Sequence, residues 1–180
     1  MTAFLGARSL DAIGPGDIQP VQAVLFYLTT YGLTNMAAFA IVTLVRDSGG
    51  EATSMASWTG LGKHSPLIAG IFSFLLLGLA GIPLTSGFAG KWAVFTSAAS
   101  AGAWPVVIVA VLGSAAAAFF YVRIIVLMFF TDPVTDGTSV ALPSIMTSSV
   151  IAIGFAGTVL LGVVPGPLLD LLGRVAEFVR

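Results

Sequence analysis

The sequence predicts an all-α, polytopic membrane protein with about four transmembrane helices, the second of them discontinuous around Pro83. Three observations support this fold class. The 180 residues are 57% hydrophobic, and their mean hydropathy is +1.04. Only 8% of the residues are charged, whereas soluble domains carry about 25%. Long uncharged stretches alternate with short polar connectors, and one of these stretches is interrupted by proline and glycine.

The composition also excludes several classes of function. Seven basic and eight acidic residues give a net charge of −1, so the chain lacks the basic surface that nucleic-acid binding requires. There is no cysteine and only one histidine, which argues against disulfides and against a zinc site. We therefore expect no metal site, no nucleic-acid partner and a lipid bilayer around the chain.

The first element is expected to be a remnant. Met1 to Ala7 resembles the last turns of a helix whose beginning is missing, and it lacks the basic start of a signal peptide. We therefore interpret the chain as a fragment of a longer protein. Residues 8–20 are rich in glycine, proline and aspartate, which is typical of a loop.

The first predicted span covers residues 21–45, an uncharged stretch that is long enough for a tilted helix. Polar residues at helical spacing form one stripe along it, which contains Tyr27, Tyr31, Thr34 and Asn35. This stripe either packs between helices or forms the wall of a hydrated path. In the connector that follows, His64 is either a proton relay or an interfacial residue beside Lys63.

The second predicted span, residues 66–101, is broken at residues 83–87. Pro83 removes a backbone donor, and Gly87 permits conformations that other residues avoid. Each arm is shorter than the ~20 residues of a normal span, so we expect two half-helices in one crossing. Such interrupted segments are the best indication of a transport site that a membrane sequence gives.

Two further spans and a surface helix complete the predicted order. Residues 104–130 form the third span, in which Arg123 either extends to the headgroups or belongs to an internal charged path. Residues 143–164 form the fourth span. Residues 168–180 are expected to form a short amphipathic helix, with polar side chains on one face and leucines on the other.

Lys91 is the residue most expected to carry chemistry, because it is the only ionisable residue between His64 and Arg123. An ionisable residue at such a position is by default a functional-site hypothesis. With a half-helix starting near Phe88, Lys91 lies in its first turn, where the helix dipole and desolvation both favour the neutral amine. Thr85 and Ser86 are expected to hold the water that delivers the proton. The alternative interpretation is a lysine that extends to the headgroups from an ordinary helix.

The broken stretch also resembles a known family. GIPLTSGFAGKWAVF, preceded by PLIAGIFSFLLLGLA, is similar to the signature of the antiporter-like membrane subunits of respiratory complex I, the bacterial NADH-quinone oxidoreductase. The stretches LFYLTTYGLTNMAAFAIVTL and YVRIIVLMFF resemble the same family, so the likeness covers roughly the whole chain.

The resemblance implies a fold, a role and partners. It implies the C-terminal part of a multi-pass subunit in the bacterial inner membrane, with inverted repeats and other membrane-arm subunits as partners. Lys91 would be the proton-transferring lysine near the helix break, in a chain without redox chemistry of its own. NADH, FMN, iron–sulfur clusters and quinone would belong to other subunits. The family's other axial charged residues, which lie on earlier helices, have no counterpart in this chain.

Two alternative functions remain open on the sequence. One is a subunit of a cation/proton antiporter or membrane-bound hydrogenase complex. The other is a structural helical module that packs against its partners without moving ions.

Overall fold

The computed structural model describes residues 19–47, 50–132 and 139–177. The predictions for Met1 to Ala7, for the loop before Gln19 and for the end of the amphipathic helix at Arg180 lie outside the described residues.

The described chain is mainly helical, and it confirms the predicted all-α, polytopic membrane fold. The helices are α1 (Pro20–Val42), α2 (Leu61–His64), α3 (Pro66–Ala80), α4 (Ser86–Ser100), α5 (Trp104–Phe130), α6 (Ile145–Val163) and α7 (Gly166–Glu177). Three of them, α1, α5 and α6, are long and apolar enough to cross a membrane, and the shorter α3 is also apolar.

A small three-stranded sheet, which was not predicted from the sequence, joins the connector after α1 to the connector between α5 and α6. Its strands are β1 (Val45–Asp47), β2 (Gly50–Glu51) and β3 (Ser139–Val140), and β1 pairs antiparallel with both neighbours. Because Val45 is already in β1, α1 ends at Val42 and does not reach the predicted Val45.

The second predicted crossing is discontinuous, as the sequence predicts, but the interruption comes earlier than expected. α3 ends at Ala80 and α4 begins at Ser86, so residues 81–85 separate two helices of 15 residues each. The reason is Gly81, which adopts a left-handed conformation (φ 85°) and ends α3 before Pro83 is reached. The break therefore covers residues 81–85, not 83–87.

The two half-helices pack along successive halves of α1. Buried residues of α3 share a core with Ala37, Ala38 and Ile41 in the second half of α1. Ala93 and Val94 of α4 form a separate cluster with Ala23 in its first half. The break therefore lies beside the middle of α1, which is the arrangement expected of two halves of one crossing.

Candidate functional site

The backbone of the break is held in an unusual conformation. Leu84 has a φ of 74°, a left-handed value that side-chain-bearing residues rarely adopt, and Gly81 has a φ of 85°. Thr85 is buried, and its hydroxyl donates a hydrogen bond to the carbonyl of Ile82 (2.7 Å). Such local strain persists only where the surrounding structure enforces it, and it occurs mainly at functional sites.

Lys91 returns from α4 to the end of α3. Its Nζ donates hydrogen bonds to the carbonyl oxygens of Leu79 (3.0 Å) and Ala80 (2.9 Å). These carbonyls belong to the last turn of α3, where the helix dipole places a partial negative charge that attracts a cation. Because α4 begins at Ser86, Lys91 lies beyond its first turn, and the prediction of a first-turn lysine that the dipole disfavours was wrong.

Lys91 faces a half-open cavity of about 400 Å³ between α1, α4 and α5. The cavity is large enough for several water molecules, each of which needs polar partners. Polar side chains from two other helices supply such partners, and the stacked rings of Tyr27 and Tyr31 line one wall (centroids 5.4 Å apart). The polar lining consists of Tyr27, Tyr31, Lys91, Ser114 and Tyr121.

The side of the break that faces α6 is buried. Ser86 is fully buried, and its hydroxyl has no hydrogen-bond partner within the described part of the chain. Neither Thr85 nor Ser86 lines the cavity beside Lys91. Both lie against α6, where a Cβ added to Gly162 would fall 2.6 Å from the backbone nitrogen of Ser86.

The remaining sequence-predicted residues divide into those at the break and those away from it. Pro83 is exposed within the break, and a Cβ added to Gly87 would lie only 1.9 Å from the carbonyl oxygen of Gly78. His64 and Arg123 are both exposed, and neither lines the cavity. The structure therefore brings Lys91 and Tyr31 together and leaves His64 and Arg123 apart from them.

Two residues of α5 that were not predicted from the sequence, Ser114 and Tyr121, also line the cavity. Their spacing in the sequence does place them on one face of the helix, because Ser114, Ala117 and Tyr121 lie at i, i+3 and i+7. What the sequence does not show is that this face lies opposite Lys91.

The chain matches the model of one protein family over more than half of its length. The model of a family described as "NADH:quinone oxidoreductase/Mrp antiporter, TM" matches residues 9–119, which include the break, Lys91 and Tyr31.

Curated bacterial relatives match over most or all of this chain. A subunit N of NADH-quinone oxidoreductase from Nocardioides sp. is 55% identical over 184 residues, which cover 100% of this chain and 34% of the relative. Subunit N 3 of NADH-quinone oxidoreductase from Streptomyces griseus is 56% identical, and the match covers 89% of this chain and 29% of the relative. The chain thus spans about a third of the length of these relatives, both of which are antiporter-like subunits of the kind that the broken stretch resembles.

A solved structure agrees with the sequence matches. A chain of respiratory complex I from Thermus thermophilus with bound aureothin superposes with a TM-score of 0.73 at 30% identity, covering 84% of this chain and 34% of that chain. These relatives and the apolar helices confirm the predicted multi-pass protein of the bacterial inner membrane. The chain belongs to the NADH:quinone oxidoreductase/Mrp antiporter family of transmembrane proteins.

Proposed function

We propose that this chain is part of a proton-translocating membrane-arm subunit of NADH-quinone oxidoreductase, in which Lys91 gains and releases the proton. The relatives are subunits of that enzyme, and the likeness to a chain of respiratory complex I supports the same assembly. The proposal for Lys91 depends on its hydrogen-bond partners.

The observation that carries the proposal is the pairing of Lys91 with two main-chain carbonyls. Among the described residues, no acidic side chain forms an ion pair with Lys91. An ammonium has three N–H donors, and a neutral amine still has two. The bonds to Leu79 and Ala80 can therefore persist in both protonation states, so that only the third N–H changes when the proton leaves.

The cavity beside Lys91 supplies a place from which the proton can come. Water in this cavity has the hydroxyls of Tyr31, Tyr121 and Ser114 as partners, besides the amine. Tyr31 is 41% exposed, so the cavity opens toward the outside of the described chain. We propose that Tyr31 and its neighbours hold a short water path to Lys91.

The break gives Lys91 its acceptors. Pro83 has no N–H to donate to the carbonyl of Leu79, and α3 ends at Ala80, so the carbonyls of Leu79 and Ala80 can accept from Lys91. Gly87, the second residue of α4, allows α4 to approach Gly78 of α3 closely. We propose that the unpartnered hydroxyl of Ser86, next to Thr85, binds a buried water in the break. His64 and Arg123 remain candidates for a longer path only through residues outside this chain.

The chain itself is proposed to carry no redox group. NADH oxidation and quinone reduction belong, in this proposal, to other subunits, which hold the FMN and the iron–sulfur clusters. Its partners would be the neighbouring membrane-arm subunits and the lipid bilayer.

The experiment replaces Lys91 in the full-length subunit within the assembled complex. Lys91→Ala removes the exchangeable proton, and Lys91→Arg keeps a charge that is not released at physiological pH. We expect both variants to lose proton pumping per assembled complex by about 100-fold or more, since a general acid–base group typically contributes about 10²–10⁴-fold. Proton pumping and NADH oxidation are measured in membranes with equal complex content.

Lys63→Ala is the matched control, since Lys63 is exposed in α2 and does not line the cavity. This variant should pump at the wild-type rate. Wild-type pumping by Lys91→Ala would show that Lys91 is only a structural lysine and would leave the module without a proton-transfer role.

A further inference from the structure

We infer that α6 positions the break, and through it Lys91, by means of Thr158 and Gly162. The inference rests on the proposed proton transfer at Lys91. Neither α6 residue lines the cavity, so both are positioning residues and not part of the proton path.

Gly162 lies directly against the backbone of the break. A Cβ at Gly162 would lie 2.4 Å from the carbonyl carbon of Thr85 and 2.5 Å from the carbonyl oxygen of Leu84. Since non-bonded heavy atoms prefer separations of about 3.5–4.0 Å, a methyl group there would displace the break by roughly 1 Å. Both contacts are to backbone atoms, so no side-chain rotation can relieve them.

Thr158, one helical turn before Gly162, holds the other side of the break. Its hydroxyl lies 2.9 Å from the hydroxyl of Thr34 in α1 and also bonds to the carbonyl of Gly154 (2.8 Å). A Cβ at Gly78 would lie 3.1 Å from the methyl group of Thr158. Thr158 is fully buried, so these contacts are shielded from solvent and lipid.

These two contacts enclose the segment on which Lys91 depends. Gly78 directly precedes Leu79 and Ala80, whose carbonyls accept hydrogen bonds from Lys91. Leu84 lies two residues before the start of α4. The left-handed Leu84 is unfavourable in isolation and requires support from its surroundings. Within the described chain, α6 provides a close backbone contact at that point.

The test compares three substitutions on α6 in the full-length subunit of the assembled complex. Gly162→Ala places its methyl group against the break. Gly154→Ala creates a clash of the same size against α1 instead, with a Cβ 2.5 Å from Ala37 and 2.7 Å from the carbonyl oxygen of Leu33. Gly157→Ala meets only a flexible leucine side chain, at 3.2 Å.

Complex content, NADH oxidation and protons pumped per assembled complex are measured for each variant. We expect Gly162→Ala to lower pumping per complex by about tenfold, because displacing a reacting group by about 1 Å can cost up to ~100-fold. Gly154→Ala moves α6 on the side of Thr158, so it should lower complex content and should lower pumping per complex less than Gly162→Ala does. Gly157→Ala should resemble the wild type. Equal pumping per complex by Gly162→Ala and Gly157→Ala would overturn the inference.

A second pair decides the question if Gly162→Ala fails to assemble. Thr158→Val keeps the shape and loses the hydroxyl, whereas Thr158→Ser keeps the hydroxyl and loses the methyl group near Gly78. Reduced pumping per complex by either variant supports positioning, and wild-type pumping by both contradicts it. If Lys91→Ala loses pumping while the α6 variants pump normally, the proposed function stands and the inference about α6 fails. If Lys91→Ala pumps normally, the proposed function fails and the inference loses its basis.

Discussion

Two lysines of this chain have very different surroundings, although their side chains are the same. Lys63, in α2, is 55% exposed and forms an ion pair with Asp132, which is 90% exposed. Lys91, in α4, is partly buried and donates to two carbonyls of α3. The first lysine has a carboxylate as its partner, and the second has only uncharged oxygens within the described residues.

The comparison shows that the partner decides what a lysine can do. A carboxylate partner interacts more favourably with a charged ammonium than with a neutral amine. Carbonyl oxygens accept from the ammonium and from the neutral amine alike, so in the proposed proton transfer Lys91 would keep its position when the proton leaves. The surface pair is also screened by salt, whereas the buried carbonyl contacts are not.

The largest effect is expected from a substitution that blocks the close contact between α3 and α4, which gives Lys91 its hydrogen-bond partners. Gly87→Ala places a Cβ 1.9 Å from the carbonyl oxygen of Gly78, so α3 and α4 must separate at the break. Overpacking typically costs roughly 1–3 kcal/mol, and a backbone clash belongs at the upper end. Since every 1.4 kcal/mol is about tenfold in an equilibrium, we expect the content of assembled complex in membranes to fall by more than about tenfold, as measured by native electrophoresis.

Gly70→Ala is the control for this prediction, since a Cβ at Gly70 meets nothing within 4 Å and α3 gains a better helix former. It should assemble normally. Normal content and wild-type pumping for Gly87→Ala would show that the close approach at the break is not needed to hold Lys91.

The sequence predicts the discontinuity well because its causes are local. Pro83 and the nearby glycines disfavour a continuous helix wherever the chain is placed. The position of the break is less predictable, since it depends on which glycine takes the left-handed conformation, and Gly81 does so before Pro83. Because α4 begins at Ser86, two residues before the expected Phe88, Lys91 lies about half a turn deeper in α4 than expected.

The surroundings of the break could not be predicted because they come from distant parts of the chain. Tyr121 and Ser114 line the cavity from α5, and Gly162 contacts the break from α6. Helical periodicity identifies the faces of α5 and α6, but it does not reveal which neighbour each face meets. The connector strands were missed because two- and three-residue strands carry almost no periodic signal.

A medium effect is expected from making Lys91 resemble Lys63. Ser114→Asp introduces a carboxylate into the cavity that Lys91 lines, and Ser114→Asn introduces a neutral side chain of the same size. An opposite charge nearby stabilises the ammonium by about 1–3 pK units, so we expect proton release and pumping per complex to fall about tenfold. The Asn variant should pump nearly normally. Equal pumping by both variants would argue that proton release from Lys91 is not needed.

The smallest effect is expected from Asp132→Asn, which removes the carboxylate from Lys63. Both side chains are exposed, and exposed ion pairs contribute little to stability. We expect unchanged pumping and at most a few-fold faster hydrogen exchange in residues 60–64, since Gly60 also bonds to the backbone of α5 through the carbonyl of Leu127 (3.2 Å). Hydrogen exchange measured by mass spectrometry on the intact complex provides the test.

The pH dependence of the difference in hydrogen exchange between the wild type and Asp132→Asn is set by the carboxylate of Asp132. The hydrogen bond from Lys63, helped by its positive charge, lowers the pKa of Asp132 below its ordinary value. A lowered pKa in the folded state means that the pair stabilises the connector above the ordinary aspartate pKa of about 3.9. This contribution is lost as the pH falls through the lowered value, because the carboxyl is then protonated. Wild type and Asp132→Asn should therefore differ at neutral pH and low salt, and should converge in high salt. A difference in hydrogen exchange that persists in high salt would mean that Asp132 acts through packing. The charge of its carboxylate would then not be what distinguishes the surroundings of Lys63 from those of Lys91.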